Sequence, residues 1–273
     1  MRNWRKRPKK EEPILPKRII SKPAGIAVNQ TYQSPLHNVP FIPPGRIAKR
    51  ASRLITEYFE KRGCLPSPPI PVELILQSEL GFSISYGQLE EEIGPGVLGA
   101  LLMEGKEVRF DASLCEHGRE GRHNFTVSHE IGHLVLHANL LKQTDFLITS
   151  GTPSIVCRNK STDPVEVQAD KFAACLLMPE DMVREKWEEV LAAPWPLCLD
   201  EYESACRKRM PFAAGRLTIE TWNPFFGASD LDTLYKTITG HLVPHFRVSK
   251  QAMRIRLENL GCFVRQSEQM ALI

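Results

Sequence analysis

The chain has 273 residues, of which 42% are hydrophobic and 25% are charged, a composition that is ordinary for a soluble protein with a sizeable core. No apolar run approaches the roughly 18 residues that a membrane helix needs, and the basic N-terminus lacks the apolar stretch of a secretory signal peptide. We therefore expect no membrane segment and a cytoplasmic location, which the seven scattered cysteines without a CxxC pair also favour.

Residues 1–45 form the first predicted unit, a basic and proline-rich tail. Residues 1–22 contain nine Lys/Arg and two Glu, so the net charge of +3 leaves about −4 on the rest of the chain. A solvated, disordered tail is the interpretation we favour, and a direct nucleic-acid contact is the alternative. The remainder of the chain offers no strong electrostatic case for nucleic acid.

Helical and strand-like patterns alternate after the tail. In chain order, the pattern predicts a helix from Ile47 to a C-cap at Gly63, a helix over 72–80, a strand over 82–86, a β-hairpin of 97–103 with 107–111, a long amphipathic helix over 124–141, a loop over 142–163 and a helix from Pro164 to Met178 with Asp163 as its N-cap. Helices before and after one small sheet predict an α+β fold.

The long helix carries the segment His129-Glu130-Ile131-Gly132-His133, an HExxH pattern. Histidines at i and i+4 share one face of a helix, so both rings can reach one zinc ion. Glu130 lies beside the first of them and is placed to take a proton from water. The pattern therefore predicts a zinc site with Glu130 as general base.

A catalytic zinc ion needs a third protein ligand. The extended motif HExxHxxGxxH is excluded, because Leu136 and Asn139 occupy its glycine and third histidine positions. Glu166 on the following helix is the predicted third ligand, with Asp163 and Asp170 as alternatives. Asp170 lies at i+4 from Glu166 and is predicted instead to orient one of the histidine rings.

Three further histidines lie near the motif. His137 is one turn beyond His133 and is interpreted as a structural histidine, because it lies too far along the helix to join both ligands. His117 and His123, in the predicted loop before the helix, are weaker candidates that could stabilise an oxyanion.

Two sequence blocks resemble the ImmA/IrrE family of metallo-endopeptidases. The first is Phe125-Thr-Val-Ser-His-Glu-Ile-Gly-His-Leu-Val-Leu-His137, and the second runs from Glu166 through Ala-Asp and Phe-Ala to Leu-Leu-Met-Pro179. The chain departs from the family at Ser128, where Ala is usual, and at Gln168, where a second Glu is common. A later block, 242–261, resembles the segment that follows the peptidase core and has a helix-turn-helix-like pattern. Ser249 would cap its second helix there, and Ala252, Ile255, Leu257 and Leu260 would pack it.

The resemblance implies a zincin-like core at residues 46–190, in which a small mixed sheet packs on the HExxH helix and on a second, Glu-bearing helix. A mainly helical region at 191–273, with the helix-turn-helix-like segment near 231–261, would follow. Arg254 and Arg256 of that segment could face a phosphate backbone, although a solvated helix face is the interpretation we favour.

The resemblance also implies an activity. It predicts a cytoplasmic endopeptidase with one zinc ion per chain, held by His129, His133 and Glu166, that cleaves a helix-turn-helix transcriptional repressor. Apart from the resemblance, an extended substrate could lie along the sheet edge near Val97–Asp111 and add a strand by main-chain hydrogen bonds. The alternative function is a regulator or toxin–antitoxin component that binds a repressor or DNA without cutting it. The native metal, zinc or manganese, stays open.

Overall fold

The computed structural model describes residues 39–138, 155–158, 163–201, 204 and 228–265. The helices are α1 (Pro44–Glu60), α2 (Val72–Ser78), α3 (Leu89–Glu92), α4 (Glu120–Leu136), α5 (Pro164–Leu177), α6 (Glu180–Leu191), α7 (Ala228–Phe246) and α8 (Lys250–Asn259). The strands are β1 (Ser83–Gly87), β2 (Val97–Leu102), β3 (Glu107–Asp111), β4 (Ile155–Arg158), β5 (Leu197–Cys198) and β6 (Phe263–Val264). This mixed, mostly helical architecture with a small sheet confirms the predicted class in its coarse form.

Four strands form a mixed sheet in the order β1-β3-β2-β4. β2 and β3 form the predicted antiparallel hairpin, whereas β1 runs parallel to β3. The expectation that a substrate lies on an edge near Val97–Asp111 is wrong, because β2 and β3 are both interior strands; among the described residues, the edges of this sheet are β1 and β4.

β4 lies inside the range 142–163 that was predicted to be a loop. Its four residues pair antiparallel with β2, from Val97↔Arg158 to Leu101↔Ile155. A strand this short takes its stability from its neighbour rather than from its own composition, so the local pattern did not reveal it. The rest of that loop, apart from Asp163, lies outside the described residues.

The helix ends follow their capping residues. The Asp163 side chain accepts from the Val165 N–H at 3.0 Å and Pro164 begins α5, as predicted. α4 begins at Glu120, four residues earlier than expected, and its last helical residue is Leu136. Residues 139–141, predicted to continue it, lie outside the described residues.

The chain just before α1 is also in contact with the fold. Residues 1–38 of the predicted tail lie outside the described residues, but Val39 and Ile42 are partly buried against the hydrophobic core. α1 starts at Pro44. The last residues of the range 1–45 are therefore part of the packed structure.

α4 is the centre of the arrangement. It packs along α5 and contacts β2, and α1 also packs against α5. Gly132 makes the helix pairing close, since a Cβ there would lie 3.1 Å from both the Cα and the carbonyl oxygen of Ala169. This contact brings the His-bearing face of α4 against the Glu-bearing face of α5.

α7 and α8 form a helix pair near the C-terminus. Ser249 caps α8, since its hydroxyl accepts from the Ala252 N–H at 3.0 Å, as predicted. The predicted packing face is partly wrong: Ile255 is exposed, while Met253 and Leu257 are buried because they lie at i and i+4 on the face turned to the core.

Both arginines that could have faced a phosphate backbone bond to this chain. Arg254 pairs with Asp232 at 2.7 Å and with Glu258 at 2.9 Å, and the Arg256 Nε donates to the Met178 carbonyl at 2.9 Å. These contacts give no support to the nucleic-acid alternative. Among the described residues, no helix is both long and apolar enough to cross a membrane.

Candidate metal centre

Three buried side chains from α4 and α5 converge on one point. The two imidazole Nε2 atoms of His129 and His133 are 2.9 Å apart, and Glu166 places its carboxylate 3.1 Å from the first and 3.4 Å from the second. Their ligand atoms all lie within 4.8 Å of one another, so the group could hold a metal ion. Two imidazoles and a carboxylate form a donor set typical of catalytic zinc.

Asp170 contacts the outer side of this cluster. Its Oδ1 lies 2.8 Å from the Nδ1 of His129, the nitrogen that faces away from the other donors. The carboxylate side chain is 54% exposed, whereas that of Glu166 is 9% exposed. The structure thus brings together the three predicted ligands and places Asp170 against His129, outside the cluster. Asp163, the other alternative, is occupied in capping α5.

Glu130 is fully buried beside the cluster, and neither of its carboxylate oxygens has a hydrogen-bond partner among the described residues. A buried carboxylate left in this condition is costly, so it calls for a functional explanation. A metal ion and its substrate would supply the missing partners, and the residues present therefore fit the implied metal.

Gly99 of β2 lies against Glu130, a contact that the sequence analysis missed. A Cβ there would lie 2.3 Å from Glu130 Oε1, so only glycine leaves room for the carboxylate. The residue lies in an apolar strand with no motif around it. The only sequence signal was a glycine within a predicted strand, which often marks a close approach of another group.

Burial dominates the electrostatics of the site. It raises the pKa of Glu130 to about 8; nearby His129 opposes this and nearby Glu166 adds to it. The pKa of His133 lies well below its usual value. Burial is the largest cause, and repulsion from His129 and His137 lowers this pKa further. The lowered pKa favours the neutral imidazole of His133, the form that binds a metal ion, and the raised pKa makes the carboxylate of Glu130 a stronger proton acceptor.

His137 is buried at the end of α4, in agreement with its interpretation as a structural histidine. Its Nδ1 lies 3.3 Å from the Nδ1 of His133, and its Nε2 lies 3.3 Å from Oε1 of Gln168. Burial lowers its pKa as well.

His117 and His123 line a different feature, a cavity of about 640 Å³ at the N-terminal end of α4. The walls of this cavity include none of the three clustered donors. His123 instead lies 2.9 Å from the Tyr86 hydroxyl and 3.3 Å from a Glu73 carboxylate oxygen. This placement does not support the oxyanion role suggested for these two histidines.

A buried His-His-Glu group next to a partnerless glutamate is the arrangement expected of a metallopeptidase. Comparison with known proteins agrees: residues 114–191 match the M78 peptidase family model, described as an IrrE N-terminal-like domain. The chain therefore carries a domain of the ImmA/IrrE type in this region, which confirms the resemblance seen in the sequence.

The other comparisons add little. No curated protein matches the chain. Among solved structures it is similar to a Mycobacterium tuberculosis transcriptional regulator, at 14% identity and a TM-score of 0.33. That match covers 54% of this chain and 39% of the regulator.

Proposed function

We propose that the protein is a zinc-dependent endopeptidase with a zincin-like core, in which His129, His133 and Glu166 bind one zinc ion and Glu130 is the catalytic base. One observation carries the proposal: three convergent metal donors lie beside a fully buried glutamate that has no partner among the described residues. A purely structural zinc site has four protein ligands and no use for such a base. The matched family domain supports the same activity.

Zinc, when bound, supplies a Lewis acid that polarises the scissile carbonyl and makes water a better nucleophile at neutral pH. The chain's own residues do the rest. Glu130 accepts the proton of the attacking water and passes it to the leaving amine. Asp170 accepts from the Nδ1–H of His129, which leaves the Nε2 of that ring free to bind the metal.

The sheet suggests where an extended substrate would lie. β4 is an edge strand, and its neighbour β2 carries Gly99, the residue in contact with Glu130. A peptide that added a strand to the sheet on this side would pair with β4 by main-chain hydrogen bonds. Such pairing favours a substrate with an extended, exposed segment.

The proposed substrate is a helix-turn-helix transcriptional repressor, as the family resemblance implies. Cleavage would relieve repression. The alternative is a protein that binds the repressor without cutting it, but such a protein would not need Glu130, whose burial has an energetic cost.

The test is incubation of the zinc-loaded protein with candidate helix-turn-helix repressors, and in parallel with a proteome-derived peptide library, both read by mass spectrometry. An endopeptidase produces internal cleavage products that are absent when zinc is chelated. A full-length repressor that co-purifies with the protein, together with an uncut library, would favour the binding function instead.

A further inference from the structure

A line of polar groups, buried at its inner end, leads from the proposed zinc ligand His133 to the backbone just before α1. Its members are the rings of His133 and His137, the side-chain amide of Gln168 and the carbonyl of Pro40. The separations are 3.3 Å between the two Nδ1 atoms, 3.3 Å from His137 Nε2 to Gln168 Oε1 and 3.1 Å from Gln168 Nε2 to the Pro40 oxygen. The three side chains are at most 5% exposed, so water cannot easily replace the contacts between them, whereas Pro40 is an exposed residue.

The Pro40 carbonyl, at the outer end of this line, fixes the direction of every hydrogen bond in it. The Pro40 carbonyl can only accept, so the NH₂ group of Gln168 must face it and donate. The amide oxygen of Gln168 then faces His137 and must accept from its Nε2–H. A neutral His137 with a proton on Nε2 has a bare Nδ1.

The end of the line at His133 requires the same proton positions. His133 turns its Nε2 toward His129 and Glu166, and a metal binds only an unprotonated nitrogen. The single proton of the neutral His133 ring must therefore lie on Nδ1, where it donates to the bare Nδ1 of His137. Two independent constraints, a backbone carbonyl and a metal-facing nitrogen, require the same proton arrangement.

We infer that His137 and Gln168 are positioning residues that hold His133 in its metal-binding tautomer, and that the carbonyl of Pro40 fixes the orientation of the Gln168 amide. The hydrogen-bonded line from His133 through His137 and Gln168 to Pro40 is called the relay below. The inference depends on the proposed zinc site and extends it. It also gives a physical role to Gln168, one of the two positions at which this chain departs from the pattern of the family it resembles. A glutamate there would offer two acceptor oxygens and could not donate to Pro40 unless it were protonated.

The relay ties the metal centre to the segment before α1. Pro40 lies between Val39 and Ile42, whose side chains are packed against the hydrophobic core, so its carbonyl is held in place by packing. His137 is held by the end of α4, where its N–H donates to the His133 carbonyl at 2.9 Å. His129 is oriented by Asp170 on α5, and His133 by this second, independent set of contacts.

The first test reads the tautomers directly in the metal-free, full-length protein, by long-range ¹⁵N NMR of labelled histidines. The expected result is a proton on Nε2 of His137 and on Nδ1 of His133. A proton on Nδ1 of His137 would overturn the inference, whatever the protein does with zinc. This readout needs no variant, so it decides the matter even where a variant fails to fold.

The second test measures zinc affinity by chelator competition for Gln168→Leu, His137→Leu and the double variant. Removal of an outer partner of a metal-bound histidine weakens metal binding by about 10- to 100-fold, and we expect this loss in each single variant. Because the two residues act through one relay, the double variant should lose little more than either single one. Gln251→Leu, the same change at an exposed position of α8, is the control and should bind zinc as the wild type does.

The outcomes separate this inference from the proposed function. Unchanged zinc affinity in Gln168→Leu, or losses that simply add in the double variant, would refute the relay while leaving the peptidase proposal intact. A wild-type protein that binds no zinc would refute the proposed function, and the tautomer measurement would still decide the arrangement of the relay.

Discussion

Gly99→Ala places a methyl group where the carboxylate of Glu130 now lies. The added Cβ would be 2.3 Å from Oε1, 3.0 Å from Cδ and 3.3 Å from Cγ of Glu130. The carboxylate must therefore move by at least about 0.7 Å to bring the shortest contact to 3.0 Å, the lower limit for real Cβ contacts. A displacement approaching 1 Å at a catalytic group costs about 100-fold in rate, which corresponds to about 2.7 kcal/mol of activation free energy.

The expected result of Gly99→Ala is thus a loss of about 100-fold in kcat/KM on the cleaved substrate, with zinc stoichiometry unchanged because the three atoms nearest the new methyl group all belong to Glu130, which is not a proposed ligand. Gly105→Ala, in the turn of the same hairpin, is the matched control, since a Cβ there meets nothing within 4 Å. Zinc content would be measured by atomic emission and kcat/KM by mass spectrometry. Wild-type kcat/KM in Gly99→Ala would refute the reasoning that Glu130 must stay where it is.

Three further predictions concern the metal and its support. Asp170→Asn should weaken zinc binding by about 10- to 100-fold, because the ring of His129 loses its carboxylate partner. Chelator competition measures the zinc affinity, and the same change at the exposed Asp181 is the control. Gly132→Ala should lower the free energy of unfolding by about 1–3 kcal/mol, because its Cβ would press 3.1 Å from the backbone of α5; urea titration checks this, and a loss no larger than that of Gly105→Ala would contradict it. Free zinc at 100 times its Kd should stabilise the protein by about 2.7 kcal/mol, and the absence of a zinc-dependent rise in Tm would argue against a folded-state site.

The candidate site could be predicted from the sequence largely because its chemistry is local. His129, Glu130 and His133 lie within one helical turn, and the spacing of histidines on a helix face is fixed by helix geometry. Glu166 followed from the need for a third ligand and from the order of the two blocks. The structure places these ligand atoms together, although their roles in catalysis stay predictions.

The missed features depend on contacts between distant segments. Gly99 meets Glu130 across the gap between a strand and a helix, and β4 exists because it pairs with β2. The bond between Gln168 and the Pro40 carbonyl joins residues 128 positions apart. No periodicity within a short window contains such information, because each partner looks unremarkable in its own segment.

In α8, the sequence predicted the helix cap but not which face of the helix would be buried. The cap at Ser249 was predicted because it is a property of adjacent residues. Which of Met253 and Ile255 would be buried was not, since a short helix with apolar residues on two sides can be docked by either face. The neighbouring helix decides between them.

The variant Glu130→Gln tests directly whether Glu130 is the catalytic base of a zinc-dependent endopeptidase. The substitution keeps the shape of the side chain and all three proposed zinc ligands, but it removes the base. One sample of each protein would be assayed for zinc content and for cleavage of the repressor or of the best library peptide. We predict one zinc ion per chain in both proteins and cleavage by the wild type alone. Cleavage by Glu130→Gln at the wild-type rate would show that Glu130 is not the catalytic base.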